Sequence, residues 1–139
     1  AKIGIATPKP EDEALINALL TLMTEGQADF TNTFANLGRE TTRDQFLEPE
    51  KYDAWETEWQ TRIVTEEKSQ DLMAKANPVL IPRNHRMEEM ISAAMMGDYE
   101  PFQRLQTALR APFSDNPEFD VLRRPPSKIE EVRATFCGT

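Results

Sequence analysis

Glu11-Asp12-Glu13-Ala14-Leu15-Ile16-Asn17-Ala18-Leu19-Leu20-Thr21-Leu22-Met23 is the stretch that decides the fold class. Leu15, Leu19 and Leu22 recur at spacings of four and three, and Ile16, Leu20 and Met23 widen the stripe. That is the apolar face of a helix and not the alternation of a strand. The three leading carboxylates suit a first turn, where exposed backbone N–H groups favour negative charge. Gly26 is placed to stop the helix in the left-handed conformation.

Working outward, the apolar lead-in Lys2-Ile3-Gly4-Ile5 precedes Pro8 and Pro10. After the first helix, Asp29 reads as the cap of a shorter one reaching Leu37, with Phe30 and Phe34 inward and Gly38 as its stop. Thr42 to Leu47 reads as a short helical turn. Pro49 opens the next helix, since proline fits the first helical position. Tyr52, Trp55, Trp59 and Ile63 recur along it at helical spacing, and Leu72 and Met73 resume the pattern after the polar stretch Thr65 to Gln70. Val79-Leu80-Ile81, held between Pro78 and Pro82, makes at most a short extended segment.

Pro82 reads as the start of a helix with Met87, Met90, Ile91, Ala94 and Met95 on one side and Gly97 as its end. Asp98 reads as the cap of the following helix, with Pro101 in its first turn and Phe102, Leu105 and Leu109 on its buried stripe; the two form a helical hairpin. Ser114, Asp115, Asn116, Pro117 and Pro125-Pro126 are breaker residues. The expectation is an all-α fold: one domain over residues 1–139, with about five to seven helices in residues 10–110. Residues 113–139 are expected to form a proline-rich irregular tail lying along the helices.

A chain of 139 residues suits one domain. It can bury roughly two-thirds of the surface exposed by its unfolded form. Net charge is −8, from 24 acidic and 16 basic residues, which works against nucleic acid and anionic membrane surfaces. No apolar run approaches the length of a membrane span. A single cysteine, Cys137, excludes an internal disulfide, and a reducing, cytoplasmic setting is expected. The start at Ala1 without a methionine suggests a trimmed or processed piece of something longer.

Arg83-Asn84-His85-Arg86 is the densest polar cluster. At a helix start, Arg83 and Arg86 are candidate contacts for an anion such as phosphate. The same arginines suit pairing with Glu88 and Glu89, and both readings stay open. His85 and Glu89 share a helical face, but with no second histidine they fall short of a metal site, and none is expected. Trp55 and Trp59 have the spacing of core residues rather than of a stacking platform. The methionines at 87, 90, 95 and 96 would suit an adaptable groove, but core packing is the favoured reading. No Gly-rich phosphate loop and no nucleophile–base motif is present. Cys137, in Phe136-Cys137-Gly138-Thr139, is either an inert thiol on a frayed end or a docked, redox-responsive one.

Several runs resemble one family. Asn77-Pro78-Val79-Leu80-Ile81-Pro82-Arg83-Asn84-His85-Arg86, Ala93-Ala94, Gly97-Asp98-Tyr99, Leu109-Arg110-Ala111-Pro112-Phe113 and Phe136-Cys137-Gly138-Thr139 are similar to the C-terminal end of the selenoprotein O family. Ala1-Lys2-Ile3-Gly4-Ile5 resembles the segment after that family's kinase-like core, and Asp29-Phe30-Thr31-Asn32-Thr33-Phe34 the helix that follows. The resemblance implies a parent protein with a pseudokinase fold that transfers AMP from ATP, with magnesium, to Ser, Thr or Tyr of other proteins. It implies that the nucleotide- and metal-binding groups lie in the upstream kinase-like region. This stretch, with no cofactor of its own, would be silent. It also implies a redox role for Cys137, whose position in the family holds cysteine or selenocysteine. From a different class, the alternative is a stand-alone helical module that binds a protein partner through its Met-rich helix.

Overall fold

The structure, a computed structural model, describes residues 1–132. It is all-α, with no strand among the described residues. The chain gathers into two compact units, Ala1–Pro78 and Val79–Thr139.

In the first unit, α1 (Asp12–Glu25), α2 (Phe30–Ala35), a 3₁₀ turn (Glu40–Gln45), α3 (Pro49–Ile63) and α4 (Ser69–Ala76) surround one apolar core. α1 lies against α3 because each presents its stripe to the other. Leu19, Tyr52 and Trp59 are sealed from solvent, and Ile3 and Ile5 of the lead-in join them. An aromatic column runs through the core. Phe46 stacks on Tyr52 with ring centres 4.6 Å apart, and Trp55 lies nearly parallel to Trp59 at 5.8 Å. Both indole N–H groups find backbone acceptors, Trp55 on the Leu15 carbonyl at 2.9 Å and Trp59 on that of Ile3 at 2.8 Å. The tryptophans are therefore core, with their polar edges satisfied as burial demands. Gly38 ends the α2 region at a φ of +82°, and a Cβ there would stand 3.0 Å from the Trp59 ring. The turn and the indole both require glycine.

Three details differ from the sequence reading. Gly26 is right-handed at φ −80°, and Gln27, at φ 53°, makes the left-handed step. The glycine serves close approach instead: a Cβ would meet the Leu22 carbonyl at 2.9 Å and the Phe46 ring at 3.1 Å. Phe34 is buried, but Phe30 is 52% exposed, leaning on Phe34 at 4.8 Å with the Lys2 ammonium above both rings. Asp12 does more than complement the helix start. It is buried and accepts two hydrogen bonds from the Arg62 guanidinium, at 2.6 and 3.0 Å, and one from the Lys9 N–H at 2.7 Å.

The second unit holds α5 (Asn84–Met95), α6 (Glu100–Leu109), a 3₁₀ turn (Pro117–Phe119) and α7 (Asp120–Arg123). Val79 and Leu80 are buried, with a bend at Val79, and both donate to the Pro112 carbonyl, at 2.8 and 3.2 Å. α5 begins after Pro82, with Arg83 as its extended N-cap. Gly97, at φ +87°, closes it: its own N–H and that of Asp98 return to the Ala94 and Ala93 carbonyls. This is the glycine-closed helix end that the spacing suggests. Asp98 supports α6 from outside it, accepting from the Glu100 N–H at 3.0 Å, while Tyr99 takes the cap position. The expected stripes are partly turned outward. Leu105 and Ala108 are buried, whereas Ile91, Met95 and Phe102 are exposed. The tail is less irregular than expected, since it contains the 3₁₀ turn and α7. Arg86 and Arg104 pin it by donating to the Val121 and Glu118 carbonyls at 2.8 and 3.0 Å.

Candidate functional site

The start of α5 carries the polar cluster. Arg83 adopts an extended conformation, which brings the chain out of Pro82 and into the helix, and no side chain caps the helix there. Arg83 and His85 are both buried, His85 to 7% exposure. Neither ring nitrogen of His85 has a hydrogen-bond partner. Burial holds its pKa below the ordinary 6.5, and the positive charges of Arg86, Arg124 and Arg83 add to that effect against the opposing charge of Glu130. The imidazole is therefore neutral near pH 7.

A cleft of about 420 Å³ opens beside this cluster, lined by Ile81, Arg83, His85, Pro126, Glu130 and Val132 among others. Its far wall is a tight turn. The Glu130 carboxylate accepts from the Ser127 N–H and hydroxyl at 2.8 and 2.7 Å, and from both terminal nitrogens of Arg124 at 2.8 and 2.5 Å. Those donors hold the Glu130 pKa far below the usual carboxylate range, the Arg124 hydrogen bonds first.

The two arginines proposed from sequence as anion contacts sit close together but are both engaged. Arg86 donates to Glu89 at 2.7 Å and to the Val121 carbonyl, so its guanidinium joins the helix to the tail. Arg83 also has an interaction of its own. Of the two acids weighed as their partners, Glu89 is the one Arg86 meets. Glu89 points to solvent, whereas His85 is buried, so the structure does not bring that pair together. Among the described residues there is no group of three or more His, Cys, Asp or Glu placed to hold a metal ion. No helix among the described residues is long and apolar enough to cross a membrane. Cys137 lies outside the described residues. The arrangement at the α5 start is one of positioning: cations and carboxylates hold the tail against α5 and α6.

A second polar group was not legible in the sequence. Arg62, in the last turn of α3, joins Asp12, Glu66 at 2.8 Å and the Thr7 carbonyl at 3.0 Å. Glu66 in turn accepts from the Ala6 N–H at 3.1 Å. This network fastens the lead-in to α3. Glu66 is an i,i+4 neighbour of Arg62, but Asp12 and Thr7 lie 50 and 55 residues from it along the chain, and nothing local marks those two as its partners.

Exposed apolar side chains gather along the sequence at the turn between α5 and α6. Met95 is 82% exposed, Met96 87% and Tyr99 58%, with Ile91 and Phe102 beside them in the adjoining helical turns.

Comparison with known proteins gives a consistent picture. The family model described as protein adenylyltransferase SelO matches residues 1–110. A protein from Ruegeria sp. described as protein nucleotidyltransferase YdiU is 54% identical over all 139 residues, which are 29% of that protein. Proteins of the same description from Ruegeria pomeroyi and Roseobacter denitrificans are 52% and 53% identical, over 100% and 99% of this chain and 29% of each relative. The chain thus spans less than a third of the length of the curated relatives it matches.

Proposed function

Because the chain belongs to the protein adenylyltransferase SelO family, we propose that it is the C-terminal helical region of a longer enzyme that transfers AMP from ATP to hydroxyl side chains of other proteins. The observation that carries this reading is the match along the whole chain to nucleotidyltransferases of which it makes up only 29%. On this reading, ATP and magnesium bind in a kinase-like region outside these residues, and protein substrates meet that region. The present stretch transfers nothing itself. It buttresses the kinase-like region with two helical units and works in the cytoplasm. The engaged cations at the α5 start favour this supporting role, since they hold backbone and carboxylates together.

Cys137 adds regulation to the reading. Its thiol forms a reversible disulfide with a cysteine of the kinase-like region, the electrons passing to an oxidised thiol of the cellular pool. The bond ties the end of the chain across that region and restrains transfer until it is reduced. The test compares AMP transfer by the longer polypeptide and its Cys137→Ser form, each with and without reductant. Reductant should raise transfer in the first and leave the second unchanged. An identical response in both removes Cys137 as a switch.

The second reading, a stand-alone module that binds a protein partner, is favoured by the exposed Met95, Met96 and Tyr99. A native start at Ala1 would support it, and an open reading frame continuing upstream would oppose it.

A further inference from the structure

From the exposed turn between α5 and α6 we infer that Met95, Met96 and Tyr99, flanked by Ile91 and Phe102, form a docking face for the remainder of the longer polypeptide, whose matching surface is apolar at its centre and basic at its rim. The inference rests on the reading above. Met95 and Met96 are more than four-fifths exposed, and Tyr99 more than half, and all three lie within five consecutive residues. They therefore make one patch and not scattered single side chains. Patches of this kind on soluble proteins mark interaction surfaces. Methionine suits one because its unbranched side chain moulds to a partner, and tyrosine adds a large apolar body with a polar tip. The turn itself is open: a Cβ at Gly97 would meet no atom of the described residues within 4 Å.

The occupant follows from length and charge. The relatives carry more than two-thirds of their chain beyond the part matched here, so a tethered partner is available at high effective concentration. The rim of the patch is acidic, with Glu88, Asp98 and Glu100 all exposed. A second copy would set those carboxylates against their own kind, on a chain already at net charge −8. Like charges facing across an interface oppose association, and opposite ones steer it. A basic-rimmed surface elsewhere in the same polypeptide meets both requirements.

The test is oxidation of the longer polypeptide with dilute hydrogen peroxide, followed methionine by methionine by mass spectrometry. The buried Met23 and Met73 serve as internal references. With the face covered, Met95 and Met96 should oxidise about tenfold or more slowly than in the urea-unfolded chain, close to the two references. Oxidation at the unfolded-chain rate overturns the inference. So does protection that vanishes on dilution, because that would assign the face to a second copy. Glu88→Lys with Glu100→Lys, both on the exposed rim, should speed oxidation of Met95 and Met96; an unchanged rate contradicts the basic rim. The readout is independent of AMP transfer. An active polypeptide with rapidly oxidised Met95 leaves the functional reading standing and removes this face. An inactive one with protected Met95 does the reverse.

Discussion

Trp59 is 1% exposed, stacks on Trp55, donates to the Ile3 carbonyl and presses its ring edge on Gly38. Replacing it removes an aromatic body from a closed core and leaves a backbone acceptor unpaired. Trp59→Ala should cost about 3–5 kcal/mol, read as a shift in the urea midpoint of the first unit. An unchanged midpoint would show that the side chain is not part of the core. His85 offers a different kind of test, because it is the chain's only histidine. Its folded pKa lies below the ordinary 6.5, so between those values the unfolded chain binds more protons than the folded one. Stability conferred by the neutral imidazole is present above about pH 6.5 and is lost as the pH falls below it. Circular dichroism of thermal unfolding should show that slope in the wild type and lose it in His85→Leu. Equal slopes in the two proteins would show that His85 is not held neutral. At this scale the reading from sequence was uneven for a physical reason. The tryptophan spacing announced a core because periodicity reports burial directly. Gly26 was misjudged because its role depends on Phe46, which comes twenty residues later.

At the scale of elements, periodicity placed α1 and α3 well, and proline and glycine marked the ends of α3 and α5. The apolar stripes of α5 and α6 were read as inward, but Ile91, Met95 and Phe102 face out. Periodicity identifies an apolar face; it does not say whether that face meets this chain or another surface. α7 was missed because four residues between breaker residues leave no period to detect. The lead-in is fastened to α3 by Arg62, and this makes an acid-sensitive element. Asp12 and Glu66 have folded pKa values lowered from 3.8 and 4.5, with the Arg62 hydrogen bond the first cause in each. A depressed carboxylate contributes stability that is present above its unfolded value and lost as the pH falls through the folded one. The first unit should therefore weaken steadily below about pH 4.5, read by tryptophan fluorescence in urea. Arg62→Gln should flatten that acid slope. A slope unaltered by the substitution would show that the network does not govern acid unfolding.

For the whole molecule, the all-α class and the family were legible in the sequence. The runs that carry the resemblance extend from the lead-in to the closing residues, and the family model matches residues 1–110. The division into the units Ala1–Pro78 and Val79–Thr139 was not foreseen, because Asn77-Pro78 looks like any other helix break. The candidate site was legible as a cluster but not as an arrangement. Arg83 and Arg86 suggested either an anion contact or pairing with Glu88 and Glu89; Arg86 does meet Glu89, and only the fold showed that it also reaches the Val121 carbonyl, 35 residues away. The central claim is that these residues support the transfer of AMP without performing it. The direct measurement is label incorporation into protein from ATP labelled at the α-phosphate, run side by side with the longer polypeptide and with residues 1–139 alone. The account predicts magnesium-dependent labelling by the longer polypeptide and none by the 139-residue chain. Labelling by the short chain alone, or none by the longer one, would contradict it.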